Sequence, residues 1–240
     1  MSPSIEHVEV SPEPFWSYRD LFLFLGVALP SLLLSAGVVR LMRPRLQLSE
    51  GFEELLAQFL WYILVFGFLI ALFRIAYGRP FWRSLGFAPP FPYAGLCFAL
   101  GPLLAMFMGY LGYLLKTPVI DSPFEKMLAD RPTTILFVIF GVFLGPLCEE
   151  LAFRGFLMPL LMRTFGTAAG ILSTAALFGA LHAPEYHKTW QYAVLIGGAG
   201  AVFGYVRYRT GSTASSTFMH IGYNLIQFVA MWVRTGLSPQ

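Results

Sequence analysis

The sequence has few charged residues. Asp, Glu, Lys and Arg make up 12% of its 240 positions, against about 25% in an ordinary soluble domain. Hydrophobic residues reach 57%, so an ordinary soluble fold is excluded. The formal net charge of +3 is spread over the segments between apolar runs, which argues against a nucleic-acid partner. One multi-helix membrane domain suits a chain of this length.

Cysteine and several catalytic motifs are also scarce. Cys97 and Cys148 are the two cysteines, and two thiols in apolar segments form no metal or disulfide framework. Neither His182 nor His220 is followed by Glu, so the zinc motif His-Glu-x-x-His is missing. No Gly-x-Ser-Gly nucleophile motif lies in a helix, and every Asp lies in the leader or a loop. Glu with His, which together can activate water, remains.

Seven apolar runs follow one another along the chain. Each is close to the roughly 20 residues that span a bilayer as a helix, and continuous apolarity favours helices over a barrel. We predict an all-α, multi-pass transmembrane bundle of seven helices around an intramembrane polar cavity, or eight if the fourth run breaks near Pro146 or Pro159. The runs are 21–39, 55–73, 93–115, 133–163, 167–182, 190–206 and 214–233.

The domain organisation follows from these runs. We expect a polar N-terminal tail over residues 1–20 and a single transmembrane domain over 21–234. One run is rich in glycine, and small residues let helix backbones approach closely. We interpret this as packing within the chain rather than dimerisation. The glycines are Gly197, Gly198, Gly200 and Gly204.

Three polar clusters interrupt the apolar runs. Ionisable side chains at bilayer depth cost several kcal/mol each and usually face a protected interior. Carboxylates, imidazoles and an amide are also the groups that water-dependent hydrolysis uses. The clusters therefore predict a polar reaction chamber. They are Glu149-Glu150 with Arg154, Phe178 with His182, and His220 with Asn224.

The first cluster divides into two parts on a helix. Glu150 and Arg154 are four residues apart, so they share a face and can form an ion pair. Glu149 is rotated by about 100° from Glu150, so one carboxylate can be structural while the other faces a cavity. The alternative, in which all three snorkel at a membrane interface, is disfavoured by the apolar sequence on both sides.

Each of the other two clusters, taken alone, is weaker evidence for a catalytic site. His220 and Asn224 share a helix face and can donate hydrogen bonds to one oxyanion, or they can serve interhelical packing. His182 ends an apolar run, where a lone His is more commonly a helix-end residue, and Phe178 lies one turn earlier on the same face. Because the three clusters occupy separate runs, a common site is the better account.

The clusters resemble the three motifs of the CAAX prenyl protease and bacteriocin-processing family (CPBP, also called ABI). They occur in the expected order, and the resemblance covers about residues 133–230, which would be the catalytic core. It implies an intramembrane endopeptidase of the glutamate type, whose relatives cleave prenylated CAAX tails or process or sort other peptides in bacteria. The matching segments are Glu149-Glu150-x-x-x-Arg154, Phe178-x-x-x-His182 and His220-x-x-x-Asn224.

The resemblance also implies a role for each motif residue. Glu149 corresponds to the base that activates water, aided by His182. His220 and Asn224 correspond to the pair that stabilises the oxyanion. The supporting residues are Glu150, Arg154 and Phe178.

Three alternatives stay open. The favoured mechanism requires no cofactor, but Glu149, His182 and His220 could instead hold Zn²⁺ with a water in the fourth position. A non-enzymatic membrane scaffold or immunity-type binding protein is another class. A transporter ranks last because no inverted repeat is visible.

The expected substrates are membrane-associated proteins, including prenylated or sorting-signal proteins. We expect specificity to come from the helices and from loops at 40–54, 74–92 and 116–132. A lipid anchor concentrates a substrate at the bilayer and contributes about 0.8 kcal/mol per buried CH₂. We therefore predict a membrane-tethered peptide or protein as substrate, and an integral protein of the bacterial cytoplasmic membrane.

Overall fold

The chain folds as an all-α bundle. The computed structural model describes residues 14–91, 93–120, 124–128 and 130–235, and in these ranges it has eight helices and no strand. The predicted helical membrane bundle is thereby confirmed. The helices are α1 Tyr18–Leu46, α2 Glu50–Ala76, α3 Phe81–Ser84, α4 Ala94–Leu114, α5 Arg131–Phe165, α6 Thr167–His182, α7 Trp190–Thr210 and α8 Thr213–Thr235.

Within the described part of the chain, five helices are both long and apolar enough to cross a membrane. They are α1, α2, α4, α5, and α6 with the 3₁₀ turn Ala183–Tyr186 that extends it. Helices α7 and α8 have 21 and 23 residues, or about 31 and 34 Å at 1.5 Å per residue. In both helices the most apolar stretch is less apolar than that of any of the five candidate spans. They are covered by other helices, since α7 packs along α6 and α8 packs along α4. The protein is an integral membrane protein.

Helix α5 runs through both of its interior prolines. Pro146 and Pro159 each follow a π-helical segment, Ile139–Leu144 and Leu151–Leu157. A proline has no N–H and its ring clashes with the carbonyl four residues earlier, and a wider turn before it relieves that conflict. The break considered near these prolines does not occur, and the eighth helix is the short α3.

The end of the predicted N-terminal tail belongs to the fold. Residues 1–13 lie outside the described residues, but Trp16 is buried and its Nε1 donates a hydrogen bond to the carbonyl oxygen of Phe156 at 3.0 Å. Helix α1 then begins at Tyr18, with Asp20 accepting from the Ser17 backbone at 2.8 Å. Residues 14–20 therefore belong to the folded domain and not to the tail, because the Trp16 side chain anchors them to α5.

The connections are shorter than the sequence predicted. The segment 40–54 is mostly helical, because α1 continues to Leu46 and α2 begins at Glu50. The loop 74–92 contains α3, and 116–132 contains the 3₁₀ turn Glu125–Leu128.

Glycines bring the helices into close contact within the chain. A Cβ on Gly101 of α4 would collide with the carbonyl oxygen of Met219 on α8. In the glycine-rich helix α7, Gly200 faces Arg154 and Phe178. The predicted packing of these glycines inside the chain matches this arrangement.

Candidate active site

The three polar clusters meet around one cavity of about 550 Å³. Helix α5 brings its carboxylates to the middle of the bundle, α6 brings an imidazole at its C-terminal end, and α8 brings an imidazole and an amide. Five of the seven residues singled out in the sequence line the cavity, and Glu150 and Arg154 lie behind its wall, fully buried. The lining residues are Glu149, Phe178, His182, His220 and Asn224.

Glu150 and Arg154 form the ion pair that their spacing predicts. Arg154 Nη1 lies 2.9 Å from Glu150 Oε1, and both side chains are 0% exposed. Arg154 Nη2 donates to the carbonyl oxygen of Gly200 at 2.9 Å, and the guanidinium lies 4.4 Å from the centre of the Phe178 ring. Buried charges are tolerated when they are paired and hydrogen-bonded. These contacts satisfy Glu150 Oε1 and both Nη atoms of Arg154, while Glu150 Oε2 and Arg154 Nε have no hydrogen-bond partner among the described residues. The pair is therefore a structural support behind the cavity.

His220 bridges the two adjacent carboxylates. Its Nδ1 lies 3.0 Å from Glu150 Oε1 and its Nε2 lies 3.8 Å from Glu149 Oε2. A carboxylate only accepts, so Nδ1 is assigned the proton in the shorter contact. The ring stacks on Phe203 with centroids 4.5 Å apart and planes 23° apart. Its position is therefore fixed from three sides.

Glu149 is the carboxylate that faces the cavity. Its side chain is 26% exposed, whereas that of Glu150 is 0% exposed. The two residues end a short α-helical stretch, Gly145–Glu150, between the two π-helical segments of α5. The division expected from the sequence, one carboxylate buried and one facing a cavity, is thus present.

His182 is held by its own helix. Its Nδ1 donates to the carbonyl oxygen of Phe178 at 2.7 Å, and the two rings are 4.5 Å apart. This bond uses Nδ1, so Nε2 is the nitrogen left for other partners. His182 lines the same cavity as Glu149.

Asn224 is partly committed to α5. Its Nδ2 donates to the carbonyl oxygen of Gly141 at 2.7 Å, and Gly141 lies in the first π-helical segment. An amide group has two N–H donors and one oxygen acceptor, so one donor remains for a second partner. The same contact fixes α8 against α5 at the cavity.

Several cavity residues were missed by sequence reasoning. Glu185 has a usable signal, because it follows His182 by three residues and so shares its face in a 3₁₀ turn. Phe203 lies on α7, and nothing in its local sequence relates it to α5 or α8. The aromatic residues missed at the cavity include Tyr186, Tyr192, Phe203 and Tyr223.

The cavity also has an apolar arm. It extends between α2, the 3₁₀ turn before α5, and the second half of α8. Gln58, Gln227 and Arg234 also line this side of the cavity, but apolar side chains predominate, so it suits a hydrocarbon or aliphatic side chains. It is formed by Leu55, Phe124, Met127, Phe137, Phe228 and Met231.

The residues of the zinc alternative do not converge. In the described ranges no group of three or more His, Cys, Asp or Glu side chains is arranged to hold a metal ion. Glu149 and His220 are adjacent, but tetrahedral zinc needs three protein ligands and a water. The arrangement supplies two of the three ligands named for that alternative.

Comparison with known proteins gives one match. Residues 131–226 match the family model described as Type II CAAX prenyl endopeptidase Rce1-like. The resemblance seen in the three motifs is confirmed over this segment, which contains every residue of the three clusters. No curated protein and no solved structure matches the chain.

Proposed function

We propose that this protein is an intramembrane endopeptidase. The premise is the match of residues 131–226 to the family model described as Type II CAAX prenyl endopeptidase Rce1-like. The protein hydrolyses peptide bonds of membrane-associated proteins with water activated by Glu149 and His182. The observation that carries the proposal is the position of Glu149. It is a cavity-facing carboxylate beside His220, with a second carboxylate already neutralised behind it.

Glu149 is proposed as the general base. Its carboxylate accepts a proton from a water molecule while the water oxygen attacks the scissile carbonyl carbon. When the C–N bond breaks, Glu149 returns that proton to the leaving nitrogen. His182 holds the attacking water through Nε2, since its Nδ1 is engaged by the Phe178 carbonyl.

His220 and Asn224 are proposed to stabilise the oxyanion that forms on the carbonyl oxygen. Asn224 contributes the N–H that is not bound to the Gly141 carbonyl. His220 contributes Nε2–H when both ring nitrogens carry protons, with Nδ1–H held by Glu150. Such donors act best when they are already oriented. The contacts of His220 and Asn224 to α5 and α7 provide that orientation.

The direct test is Glu149→Gln, which keeps the shape of the side chain and removes the base. We expect cleavage of a membrane-tethered reporter peptide to fall by about 10²–10⁴-fold, the usual contribution of a general base. Glu54→Gln, at an exposed carboxylate on α2 that does not line the cavity, is the matched control and should keep full activity. Mass spectrometry of the new peptide termini measures cleavage. Full activity of folded Glu149→Gln on a validated substrate would refute the assignment.

The natural substrate can be found by comparing peptide termini in cells with wild-type protein or Glu149→Ala. We propose membrane-tethered substrates, because the apolar arm adjoins the polar end of the cavity. The same peptide with and without a lipid anchor should then differ in kcat/KM, the anchored form being better. A set of substrates drawn mainly from soluble, unlipidated proteins would contradict this. The bacterial cytoplasmic membrane stays the predicted location.

Metal dependence is tested separately. We propose that hydrolysis proceeds without a bound metal. Protein verified as metal-free by elemental analysis should keep its activity, and added Zn²⁺ should not increase it. Loss of activity on chelation with recovery on Zn²⁺ addition would favour the zinc alternative. A scaffold role would instead predict that Glu149→Gln lowers stability without any cleavage phenotype.

A further inference from the structure

Glu185 is a carboxylate in the cavity that the proposed mechanism does not use. It lies in the 3₁₀ turn Ala183–Tyr186, three residues after His182. It lines the same cavity as Glu149, and it interacts electrostatically with both His182 and Glu149. The cavity thus has a second acidic group close to the reacting end.

The turn that carries Glu185 is held at both of its ends. The backbone N–H of Lys188 donates to the carbonyl of Ala183 at 2.8 Å, and that of Thr189 donates to Tyr186 at 2.9 Å. The Tyr186 ring stacks on Tyr192, with centroids 4.5 Å apart and planes 16° apart.

Tyr192 also ties the turn to another connection. Its hydroxyl donates to the carbonyl oxygen of Pro118 at 3.1 Å. The turn is therefore fixed against α7 and against the segment after α4, and it carries Glu185 as an exposed residue that lines the cavity.

Carboxylates outnumber Arg and Lys side chains in this part of the cavity. The positive charge of Arg154 is matched by Glu150 behind the wall, so it leaves no net charge for a substrate. Arg234 also lines the cavity, but it lies ten residues beyond Asn224 on α8, about 15 Å further along the helix axis. Glu149 and Glu185 are therefore the acidic side chains at this end of the cavity, beside the imidazoles of His182 and His220.

We propose that Glu185 determines substrate specificity by favouring a Lys or Arg side chain next to the scissile bond and rejecting Asp or Glu there. The inference rests on the proposed peptidase function. The carboxylate of Glu185 attracts a positively charged side chain at the cavity and repels a negatively charged one. It thus discriminates by attraction and by repulsion at once.

The test is a series of tethered peptides with Lys, Gln or Glu at each of the two positions that flank the scissile bond. For wild-type protein we expect kcat/KM for Lys to exceed that for Glu by at least tenfold at one of these positions. Glu185→Gln should reduce this ratio by at least threefold, and Glu185→Lys should bring it below one. Glu54→Gln should leave the ratio unchanged.

Binding separates this inference from the proposed function. The affinities of the Lys and Glu peptides are also measured for Glu149→Gln and for Glu149→Gln with Glu185→Gln, without any need for cleavage. A Lys preference that the second substitution reduces supports the role of Glu185 even if Glu149→Gln still cleaves and the catalytic assignment fails. If Glu185→Lys does not fold, the isosteric Glu185→Gln decides. An unchanged ratio in folded Glu185→Gln, or no charge preference in wild type, would overturn the inference.

Discussion

Arg154 on α5 donates a hydrogen bond from Nη2 to the main-chain carbonyl oxygen of Gly200 on α7, at 2.9 Å. The same guanidinium binds Glu150 through Nη1 at 2.9 Å, and Glu150 in turn contacts His220 on α8 at 3.0 Å. One buried ion pair therefore joins α5, α7 and α8, three of the helices that carry or support the candidate active site.

The first prediction concerns the space beside Arg154. A Cβ on Gly200 would lie 2.9 Å from Arg154 Nη2 and 3.1 Å from a Phe178 ring carbon, so Gly200→Ala should displace the guanidinium and lower both activity and thermal stability. Gly198→Ala is the matched control, because its Cβ would meet only Met108 at 3.6 Å. Thermal unfolding in detergent and peptide cleavage measure both effects. Equal behaviour of the two variants would contradict the role of Gly200.

The ion pair itself gives the second prediction. Arg154→Met leaves Glu150 as an unpaired buried charge, which typically costs about 3–5 kcal/mol of unfolding free energy. Adding Glu150→Gln removes that charge and should recover part of the loss. Denaturant unfolding of the single and double variants measures the coupling. If the double variant is less stable than Arg154→Met, the unpaired charge is not the cause.

Asn224 gives the third prediction. Asn224→Ala removes a proposed oxyanion donor, and the loss of one such donor typically lowers kcat by about 10²–10³-fold. Gln227→Ala, an amide one turn later that also lines the cavity, should change kcat far less. Because Asn224 also binds the Gly141 carbonyl, unfolding is measured in parallel. A loss of stability with unchanged kcat would assign Asn224 to packing alone.

The N-terminal segment gives the fourth prediction. Trp16→Phe keeps most of the buried ring but removes the Nε1 hydrogen bond to the Phe156 carbonyl, and a typical intramolecular hydrogen bond contributes about 0.5–1.5 kcal/mol. We expect a lower unfolding temperature. Trp82→Phe, at a Trp that is 48% exposed, should have little effect. Equal stability of the two variants would show that the hydrogen bond contributes nothing.

Acid sensitivity at the start of α5 gives the fifth prediction. Hydrogen bonds from the backbone N–H and then the hydroxyl of Thr133 lower the pKa of Asp130. Its stabilising contribution is therefore fully present above the unfolded pKa of about 3.9 and is lost as the pH falls through the lower folded pKa. Asp130→Asn keeps a residue suited to capping the helix but does not titrate.

Unfolding temperatures measured between pH 6 and pH 3 check that the contribution of Asp130 to stability is lost as the pH falls. The wild-type value should fall more steeply with acid than that of Asp130→Asn, with the difference confined to the lowest pH values. Parallel curves would show that Asp130 does not contribute to the acid response.

Local spacing predicted the contacts within single helices. Four-residue separations gave the Glu150–Arg154 ion pair and the packing of Phe178 on His182. Both depend only on helical geometry. The opposite exposure of Glu149 and Glu150 follows from the same geometry, since neighbours on a helix point about 100° apart.

Contacts between helices could not be predicted in this way. The bridging position of His220 depends on how α8 is rotated against α5, which residues far apart in the sequence decide. The bond from Trp16 to Phe156 spans 140 positions, and the composition of the N-terminal segment indicated only a tail. The apolar sequence of α5 also concealed its two π-helical segments.

Those two π-helical segments make the active site sensitive to chain length. Each wide turn takes up extra backbone, and a shift of one residue rotates everything beyond it by about 100° around the helix axis. Glu149 and Glu150 lie between the two segments. The first segment therefore sets the rotation of their side chains about the helix axis relative to Gly141, and the second sets it relative to Arg154. Deleting one residue from Ile139–Leu144 would close the wide turn to an ordinary α-turn and keep the carboxylates towards His220. Deleting a second residue would preserve every side chain of the three motifs and still turn the carboxylates away from His220. The presence of all the motif residues in a sequence therefore indicates catalysis only if the number of helical residues between them also turns their side chains towards one another.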